Sequence, residues 1–317
     1  MAIIDIHGHF MPIVNEPWYP ASVDEAGMLK MGNRPAMKVN PGLIDLSKQV
    51  EAMEKLGVSF RILHPAPQSI LYNLSADESI RFCRAFNDKM AEEVKKYPKY
   101  FAATANLPMM STEAAVAELT RCVQELGMKG AQIGSNIMGK ELDDPSLIPF
   151  WEKVVELDVP ILMHSTNPAG GERLRDFYLA NMIGNRFEVT LASCRLIFGG
   201  IMDRFPTLKI IVGQGGGYLP YAAGRMDHAW RVEEAPKKNV KVPPSTYIPK
   251  FYYDSITQRE SEFHYLVSQV GLDQVAVGMD APYDMGDPNP NETVVKWLND
   301  DAKLERLNNT AGRLFKL

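Results

Sequence analysis

The sequence predicts a single α/β domain in which eight parallel strands alternate with helices and close into a barrel. Eight short apolar runs, rich in β-branched and aromatic residues, are separated by segments whose apolar residues recur at helical spacing. Eight is also the number of strands that closes a (β/α)8 barrel. Residues able to bind a metal ion directly follow or end three of these runs, at the strand ends where such barrels place their active sites.

The elements follow one another along the whole chain. Helical spacing is clearest over residues 46–56, 79–97 and 112–126, and Ser111 and Gly127 are start and stop signals for the last of these. An open, doubly wound sheet is the alternative fold, but His7-Gly8-His9 follows the first strand in place of a glycine-rich phosphate turn. The predicted strands lie near 2–6, 58–63, 100–105, 129–134, 159–164, 208–213, 250–254 and 274–279.

Two long connections interrupt this alternation, at residues 10–42 and 232–249, and both are rich in proline. Long connections in compact domains are commonly lids or binding loops, so we expect both near the mouth of the barrel. No composition shift divides the chain, and residues 1–317 are therefore predicted to form one domain.

The composition is that of an ordinary globular protein, with 45% apolar residues, 23% charged residues and a net charge of −5. The charges are interspersed without a basic stripe, which argues against a nucleic-acid partner. No apolar run approaches the roughly 20 residues of a membrane helix, and no leader pattern precedes the first strand. We therefore expect a soluble, cytoplasmic protein. Its three cysteines, Cys83, Cys122 and Cys194, form neither a disulfide framework nor a metal motif.

A metal site is predicted from four residues at strand ends. His7 and His9 are two positions apart in the first strand, so both imidazoles point to the same face. His164 ends the fifth strand and Asp280 ends the eighth, and the strand ends of a closed barrel converge on one mouth. This donor set suits Zn²⁺ and also Mn²⁺ or Fe²⁺. Asp5 is expected to orient an imidazole or to bind the loop backbone.

Several segments together resemble the amidohydrolase superfamily. The resemblance is to the branch that contains aminocarboxymuconate-semialdehyde and γ-resorcylate decarboxylases, and it covers essentially the whole chain. The matching segments are Asp5-Ile6-His7-Gly8-His9, the strand ending at His164, residues 213–221 with Gly224-Arg225, residues 251–254, residues 278–283 and residues 309–315.

This resemblance implies that His7, His9, His164 and Asp280 hold one divalent metal ion at the mouth of a distorted barrel, and that Asp280 delivers a proton to the carbon that loses carbon dioxide. One position departs from the family pattern, because Gln214 stands where relatives usually have a histidine. Glutamine can donate and accept hydrogen bonds but cannot titrate, so it can steer a substrate but cannot relay a proton. His228 and His64 are two histidines that could substitute for the missing one, while His264 is predicted to be a surface residue.

Four residues are predicted to contact the substrate. Arg225 resembles a family arginine that reaches the neighbouring subunit's pocket, which implies a homodimer; a surface ion pair is the alternative. Arg34 on the first long connection is a second possible anion clamp, since arginine offers a bidentate fork to carboxylates. His64 and Tyr283 are predicted to line the pocket, with simple packing as the alternative for each.

The predicted function is a metal-dependent lyase that decarboxylates an aromatic or muconate-like carboxylic acid without an oxidant. Zinc is the first choice of metal. Two alternatives remain open: a hydrolase or hydratase of a related acid, and a binding homologue that has lost catalysis because Gln214 replaces the family histidine.

Overall fold

Eight parallel strands pair in sequence in the computed structural model, which describes residues 2–317. The strands are β1 (Ile3–Phe10), β5 (Val58–Pro65), β6 (Phe101–Ala103), β7 (Ala105–Asn106), β8 (Ala131–Gly134), β11 (Ile161–His164), β12 (Ile210–Val212), β13 (Tyr252–Asp254) and β14 (Val275–Ala276). Their pairing order is β1–β5–β6, continued by β7–β8–β11–β12–β13–β14. Strands β6 and β7 are two halves of one predicted strand, which is interrupted at Thr104, whose hydroxyl contacts Leu63 O and His64 Nδ1.

Backbone hydrogen bonds also join the first strand to the chain that continues β14. Ile6 N donates to Val277 O at 2.8 Å, and Asp280 N donates to His7 O at 2.6 Å. His9 N donates to Ala281 O at 2.7 Å. These bonds complete the ring of eight strands, so the predicted (β/α)8 barrel is confirmed, with β1 and β14 as neighbours.

The helices lie between successive strands, as a parallel sheet requires. Helix α1 has the predicted bounds, whereas α2 begins three residues earlier than predicted because Ser75 and Glu78 form a capping box. The Ser111 side chain accepts a hydrogen bond from Ala114 N and begins α3 as expected. The helices are α1 (Leu46–Leu56), α2 (Ala76–Val94), α3 (Thr112–Gln124), α4 (Ile148–Leu157), α5 (Asn185–Phe198), α6 (Ile201–Arg204), α7 (Leu219–Val232), α8 (Glu260–Val270), α9 (Lys296–Leu298) and α10 (Asp301–Phe315).

The interior of the barrel is filled from several strands at once. Ile6, Ile62, Leu162 and Ile211 form a buried apolar cluster that the C-terminal Phe315 of α10 also joins. The pairing register of β1 shifts between Asp5 and Gly8, and this irregularity allows Ile6 to join the cluster although the adjacent His7 faces the mouth. The strand end above the cluster is left to polar side chains.

Among residues 2–317, none of the helices is both long and apolar enough to span a bilayer.

The first long connection is more ordered than its composition suggests. It contains an antiparallel sheet of three short strands, β2 (Ala21–Val23), β3 (Met28–Met31) and β4 (Met37–Lys38). It leaves the C-terminal end of β1, and Arg34 within it donates to Gln68 O at 2.9 Å, just after β5. This contact brings the connection beside the C-terminal end of β5. A two-stranded antiparallel pair, β9 (Asn136–Ile137) with β10 (Lys140–Glu141), follows β8.

The second long connection does not lie where the sequence suggested. Residues 232–249 follow α7 and precede β13, so they enter the N-terminal end of a strand, opposite the mouth. Trp230 donates to Val240 O and Asp227 accepts from Ser245 N, contacts that fold the segment back onto α7. The prediction that this connection borders the active site was wrong, because its prolines were assigned to a strand exit when they follow a helix.

Candidate metal centre and active site

Four predicted ligands meet at the mouth of the barrel. One donor atom from each of His7, His9, His164 and Asp280 lies within 4.8 Å of the other three, and all four residues are buried. The Nε2 atoms of His7 and His9 are 3.2 Å apart, and His9 Nε2 is 3.0 Å from Asp280 Oδ1. Three strands that are distant in sequence thus bring their ends to one point.

Hydrogen bonds to the outer ring nitrogens fix how each imidazole is presented. His7 Nδ1 faces Asp254 Oδ2 at 2.6 Å, and His9 Nδ1 faces the carbonyl of Pro65 at 3.1 Å. His164 Nδ1 faces the carbonyl of Ser165 at 3.1 Å. Because carboxylates and carbonyls only accept, each Nδ1 must donate, and the lone pair of a neutral ring then lies on Nε2, at the centre of the site.

The carboxylate of Asp280 completes this set of inward-facing donors. Its Oδ1 is buried, and within residues 2–317 it has no hydrogen-bond donor with acceptable geometry. Burying an acceptor without a partner costs free energy, so an orphaned oxygen beside three inward-facing imidazoles needs an explanation. A divalent cation satisfies all four donors together, and the residues present fit such an ion.

The electrostatics divide the histidines into two kinds. Burial alone would lower the pKa of His7, but its hydrogen bond to Asp254 and the charges of Asp280 and Asp254 raise that pKa to about 9. Burial and the neighbouring imidazoles lower the pKa of His9, and they lower the pKa of His164 to about 4. In the metal-free protein, His7 therefore holds a proton near neutral pH, while His9 and His164 are neutral.

The carboxyl groups of Asp280 and Asp254 also differ in the direction of their pKa shifts. Burial raises the pKa of Asp280, since its neighbouring imidazoles only partly offset the desolvation. Burial would also raise the pKa of Asp254, but the hydrogen bonds from His7 and from the backbone of Gly215 and Gln214 lower it. Asp254 is thus a permanent anion that orients His7, whereas Asp280 is a carboxyl that can hold a proton.

The glycine-rich turn after β12 places Gln214 beside the centre. Gln214 and the next three residues all have positive φ, from 57° to 78°. The N–H groups of Gln214 and Gly215 donate to Asp254, at 2.8 and 2.7 Å, so the turn is fixed to the partner of His7. Gln214 Oε1 is buried and has no hydrogen-bond partner within the described chain, and the side chain lines the same cavity as Asp280.

The cavity at the mouth is about 350 Å³ and is lined by residues from several loops. Tyr283 belongs to it, stacks edge-on against His9 with ring centroids 5.3 Å apart, and donates to Gln68 Oε1 at 2.5 Å. Arg34 lies in an adjoining cavity that shares Ser165 and Pro67 with this one. Tyr283 therefore lines the cavity at the mouth, and Arg34 lines the adjoining one.

Three other predicted residues occupy different positions. His64 is buried beside His7, but its Nε2 bonds Ile6 O and its Nδ1 bonds Thr104 Oγ1, both at 2.8 Å. Neither nitrogen is available to a substrate, so His64 supports the first strand and does not bind substrate directly. Arg225 and His228 lie on α7 with exposed side chains, and neither lines the cavity at the mouth. His264 is on the surface of α8, as expected.

Sequence reasoning missed two functional contacts. Asp254 was quoted only as part of a motif, although it ends an apolar strand just as Asp280 does, and the same signal would have identified it. Asp5 was assigned to imidazole or loop orientation. Its Oδ1 does accept from His7 N and Met279 N, but its Oδ2 pairs with the buried Arg61 at 2.6 Å, a contact no local pattern predicts.

Three imidazoles and one carboxylate meet at the C-terminal ends of the barrel strands. This arrangement is typical of barrel proteins with a metal centre at the mouth. The family model described as "Amidohydrolase" matches residues 4–317. The chain therefore belongs to the amidohydrolase family, and the predicted family is confirmed.

Individual relatives agree with this assignment. The chain is 30% identical to the 2-amino-3-carboxymuconate-6-semialdehyde decarboxylase of Dictyostelium discoideum over 97% of its own length and 90% of the relative's. It is 32% identical to the 2-keto-4-carboxy-3-hexenedioate hydratase of Sphingobium over 71% of its own length and 68% of the relative's. A crystal structure of dihydroxybenzoic acid decarboxylase from Polaromonas, with bound manganese and 2-nitroresorcinol, superposes with a TM-score of 0.81 at 26% identity and covers 100% of this chain and 97% of that one.

Proposed function

We propose that the protein is a metal-dependent lyase that removes carbon dioxide, without an oxidant, from an aromatic or muconate-like carboxylic acid. The observation that carries this proposal is the convergence of three imidazoles on the orphaned Oδ1 of Asp280 at the mouth of the barrel. Relatives over most of the chain's length are named as decarboxylases of such acids, which supports the same reaction here.

The metal would be held by His7, His9, His164 and Asp280. Three nitrogens and one carboxylate suit zinc, and they also suit manganese, the metal in the Polaromonas relative. The ion would supply positive charge that binds the substrate's oxygen atoms and stabilises negative charge developing on the reacting molecule. We propose zinc from the donor set, to be decided by elemental analysis of the purified protein.

The chain's own residues would manage the proton. Asp280 lines the cavity, so its carboxyl group can reach a substrate bound at the centre. Decarboxylation replaces a carbon–carboxyl bond by a carbon–hydrogen bond: Asp280 gives its proton to the carbon, the carbon–carboxyl bond breaks, and its electron pair restores the conjugation as carbon dioxide leaves. Gln214 would hold the substrate through its amide and take no part in proton transfer. Tyr283 would form one wall against a flat ring.

A homodimer is also part of the proposal. Arg225 is exposed on α7, and within residues 2–317 no carboxylate lies within 4.0 Å of its side chain. The neighbouring Tyr221 is 82% exposed and Phe177 is 84% exposed. Large exposed aromatic side chains of this kind are typical of protein interfaces. Arg225 would then meet the partner's mouth rather than its own.

A hydratase is the second candidate, since one relative over 71% of the chain is named as a hydratase. Water addition needs a group that accepts a proton, and Gln214 cannot do so, which leaves Asp280 as the base. A catalytically impaired homologue is the third candidate. The argument for it is that Gln214 stands where relatives usually have a titratable histidine.

Turnover of a panel of hydroxybenzoic and muconic acids distinguishes the three candidates. The metal-loaded enzyme is expected to release carbon dioxide from at least one acid, to lose that activity after treatment with a chelator, and to regain it when zinc or manganese is restored. Product mass decides the reaction: loss of 44 mass units indicates decarboxylation and gain of 18 indicates hydration. Full activity in protein shown by elemental analysis to be metal-free would contradict the proposal.

A further inference from the structure

A second lobe opens from the predicted centre. This cavity of about 440 Å³ shares Asp280, Gln214, Asn181 and Met285 with the mouth cavity described above. Arg186, Arg259, Gln258 and Thr257 also line it. We call this space the arginine lobe. A molecule bound at the centre could extend into it without leaving the cavity.

Arg186 is placed in the arginine lobe by the same turn that places Gln214. A Cβ atom on Gly217 would lie 2.3 Å from Arg186 O, so only glycine allows the turn to approach the start of α5 this closely. Thr190 Oγ1 donates to Arg186 O at 2.7 Å and accepts from Tyr218 N at 2.8 Å. The first turn of α5 and the turn of Gln214 are therefore fixed to each other.

The guanidinium of Arg186 is only weakly satisfied by the protein. Its Nη2 lies 3.4 Å from both Ile256 O and Gln258 Oε1, at the long end of hydrogen bonding. Throughout the described part of the chain, no carboxylate lies within 4.0 Å of Arg186 or Arg259. Two acidic residues line the lobe, Asp280 at the centre and the exposed Glu262 on α8.

Arg34, the second of the two anion-binding arginines that the sequence predicts, has different contacts. Its Nη1 donates to Gln68 O at 2.9 Å and its Nη2 reaches Asn73 Oδ1 at 3.4 Å. It lies in a separate cavity that includes neither Asp280 nor Gln214. A half-buried arginine with long contacts, in the same cavity as the reacting centre, is the better receptor for an anion.

We propose that the arginine lobe binds a second anionic group of the substrate, so that the preferred substrates are dicarboxylates whose second carboxylate lies across the molecule from the one at the metal centre. Arg186 is the principal receptor, Arg259 adds charge, and the amide of Gln258 holds the Arg186 side chain in place. This inference rests on the proposed function only in assigning the first carboxylate to the centre.

Two probes that differ by one carboxylate test the proposal directly. The affinities of 2-hydroxybenzoate and 2-hydroxybenzene-1,4-dicarboxylate for the metal-loaded protein are measured by calorimetry at low ionic strength. The wild-type protein is expected to prefer the dicarboxylate by about tenfold to a hundredfold, the range of one charge-assisted hydrogen bond. Arg186→Gln should bring that ratio close to one while leaving the affinity for 2-hydroxybenzoate unchanged, and Arg186→Lys should restore part of it.

Matched variants separate this site from other cations. Arg84→Gln removes an exposed charge on α2 that lines neither the arginine lobe nor the mouth cavity, and it should leave the ratio unchanged. The inference is overturned if the wild-type protein shows no preference, or if Arg34→Gln or Arg225→Gln abolishes a preference that Arg186→Gln retains. Carbon dioxide release is assayed separately: a preference that depends on Arg186 without any decarboxylation supports the lobe and counts against the proposed reaction.

Discussion

Two buried ion pairs lie on either side of the first strand, and they are satisfied in opposite ways. Arg61 pairs with Asp5 at 2.6 Å, and its other nitrogens reach Gln49 Oε1 and the sulfur of Met279. His7 pairs with Asp254, also at 2.6 Å, but its second nitrogen points into the site. Protein groups satisfy the whole Arg61–Asp5 pair, which we call the closed pair. The His7–Asp254 pair leaves one nitrogen of His7 free for a ligand, and we call it the open pair.

The difference shows why the strand reads Asp-Ile-His-Gly-His. A Cβ on Gly8 would lie 2.4 Å from Arg61 Cδ, so glycine between the two histidines makes room for the arginine side chain. Gln49, which accepts from Arg61, also donates to His9 O at 2.8 Å. The Arg61–Asp5 pair therefore fixes the backbone of the strand, and the His7–Asp254 pair fixes the imidazole that the strand presents.

The largest expected effect comes from opening the closed pair. Asp5→Asn leaves the guanidinium of Arg61 buried without its counter-charge, and removing one partner of a buried pair costs about 3–5 kcal/mol. Urea denaturation of the metal-free variant should show this loss in the free energy of unfolding. Asp273→Asn is the matched control, since it breaks an exposed pair with Arg306 and should cost at most about 1 kcal/mol. Similar losses of stability in Asp5→Asn and Asp273→Asn would contradict the stabilising role assigned to the buried Arg61–Asp5 pair.

The fold was predictable because its signals are local. Short apolar runs predicted every barrel strand, and α1 has the bounds that its apolar spacing indicated. The prediction failed where the signal was composition alone: the prolines of residues 232–249 do not distinguish a strand exit from a helix exit. Order within residues 10–42 was missed for a related reason, since strands of two to four residues leave no periodicity to detect.

The site was predictable in part, for a different reason. His7, His9, His164 and Asp280 end strands, and barrel geometry brings strand ends together, so their proximity follows from the fold. Asp254 and Arg61 act through pairs separated by 247 and 56 residues, which depend on side-chain packing. Arg186 lies in a helix with no local signal, and only the close approach of Gly217 places it in the cavity.

A smaller but more specific effect is expected from the open pair. Asp254→Asn removes the charge that orients His7, and loss of such a supporting carboxylate typically weakens metal binding by about 10- to 100-fold. Competition with a chromophoric chelator measures this affinity. Asp254 also accepts N–H bonds from Gly215 and Ile256, so the variant will lose some stability as well. The contrast holds if Asp5→Asn, where folded, keeps most of its metal affinity and Asp254→Asn does not.

The smallest effect is a dependence of metal affinity on pH, and it also originates in the open pair. The pKa of His7 is raised to about 9 in the metal-free protein, so below this pH a bound metal must displace one proton from His7. The apparent association constant should therefore rise about tenfold for each pH unit between roughly pH 7 and 8.5, and level off above about pH 9. The pKa of His164, lowered to about 4, adds nothing in this range. In Asp254→Asn the hydrogen bond that raises the pKa of His7 is lost, and the slope should flatten. A wild-type affinity that does not change with pH would mean that His7 binds no proton in the metal-free site, and the two pairs would then not differ in the way their contacts indicate.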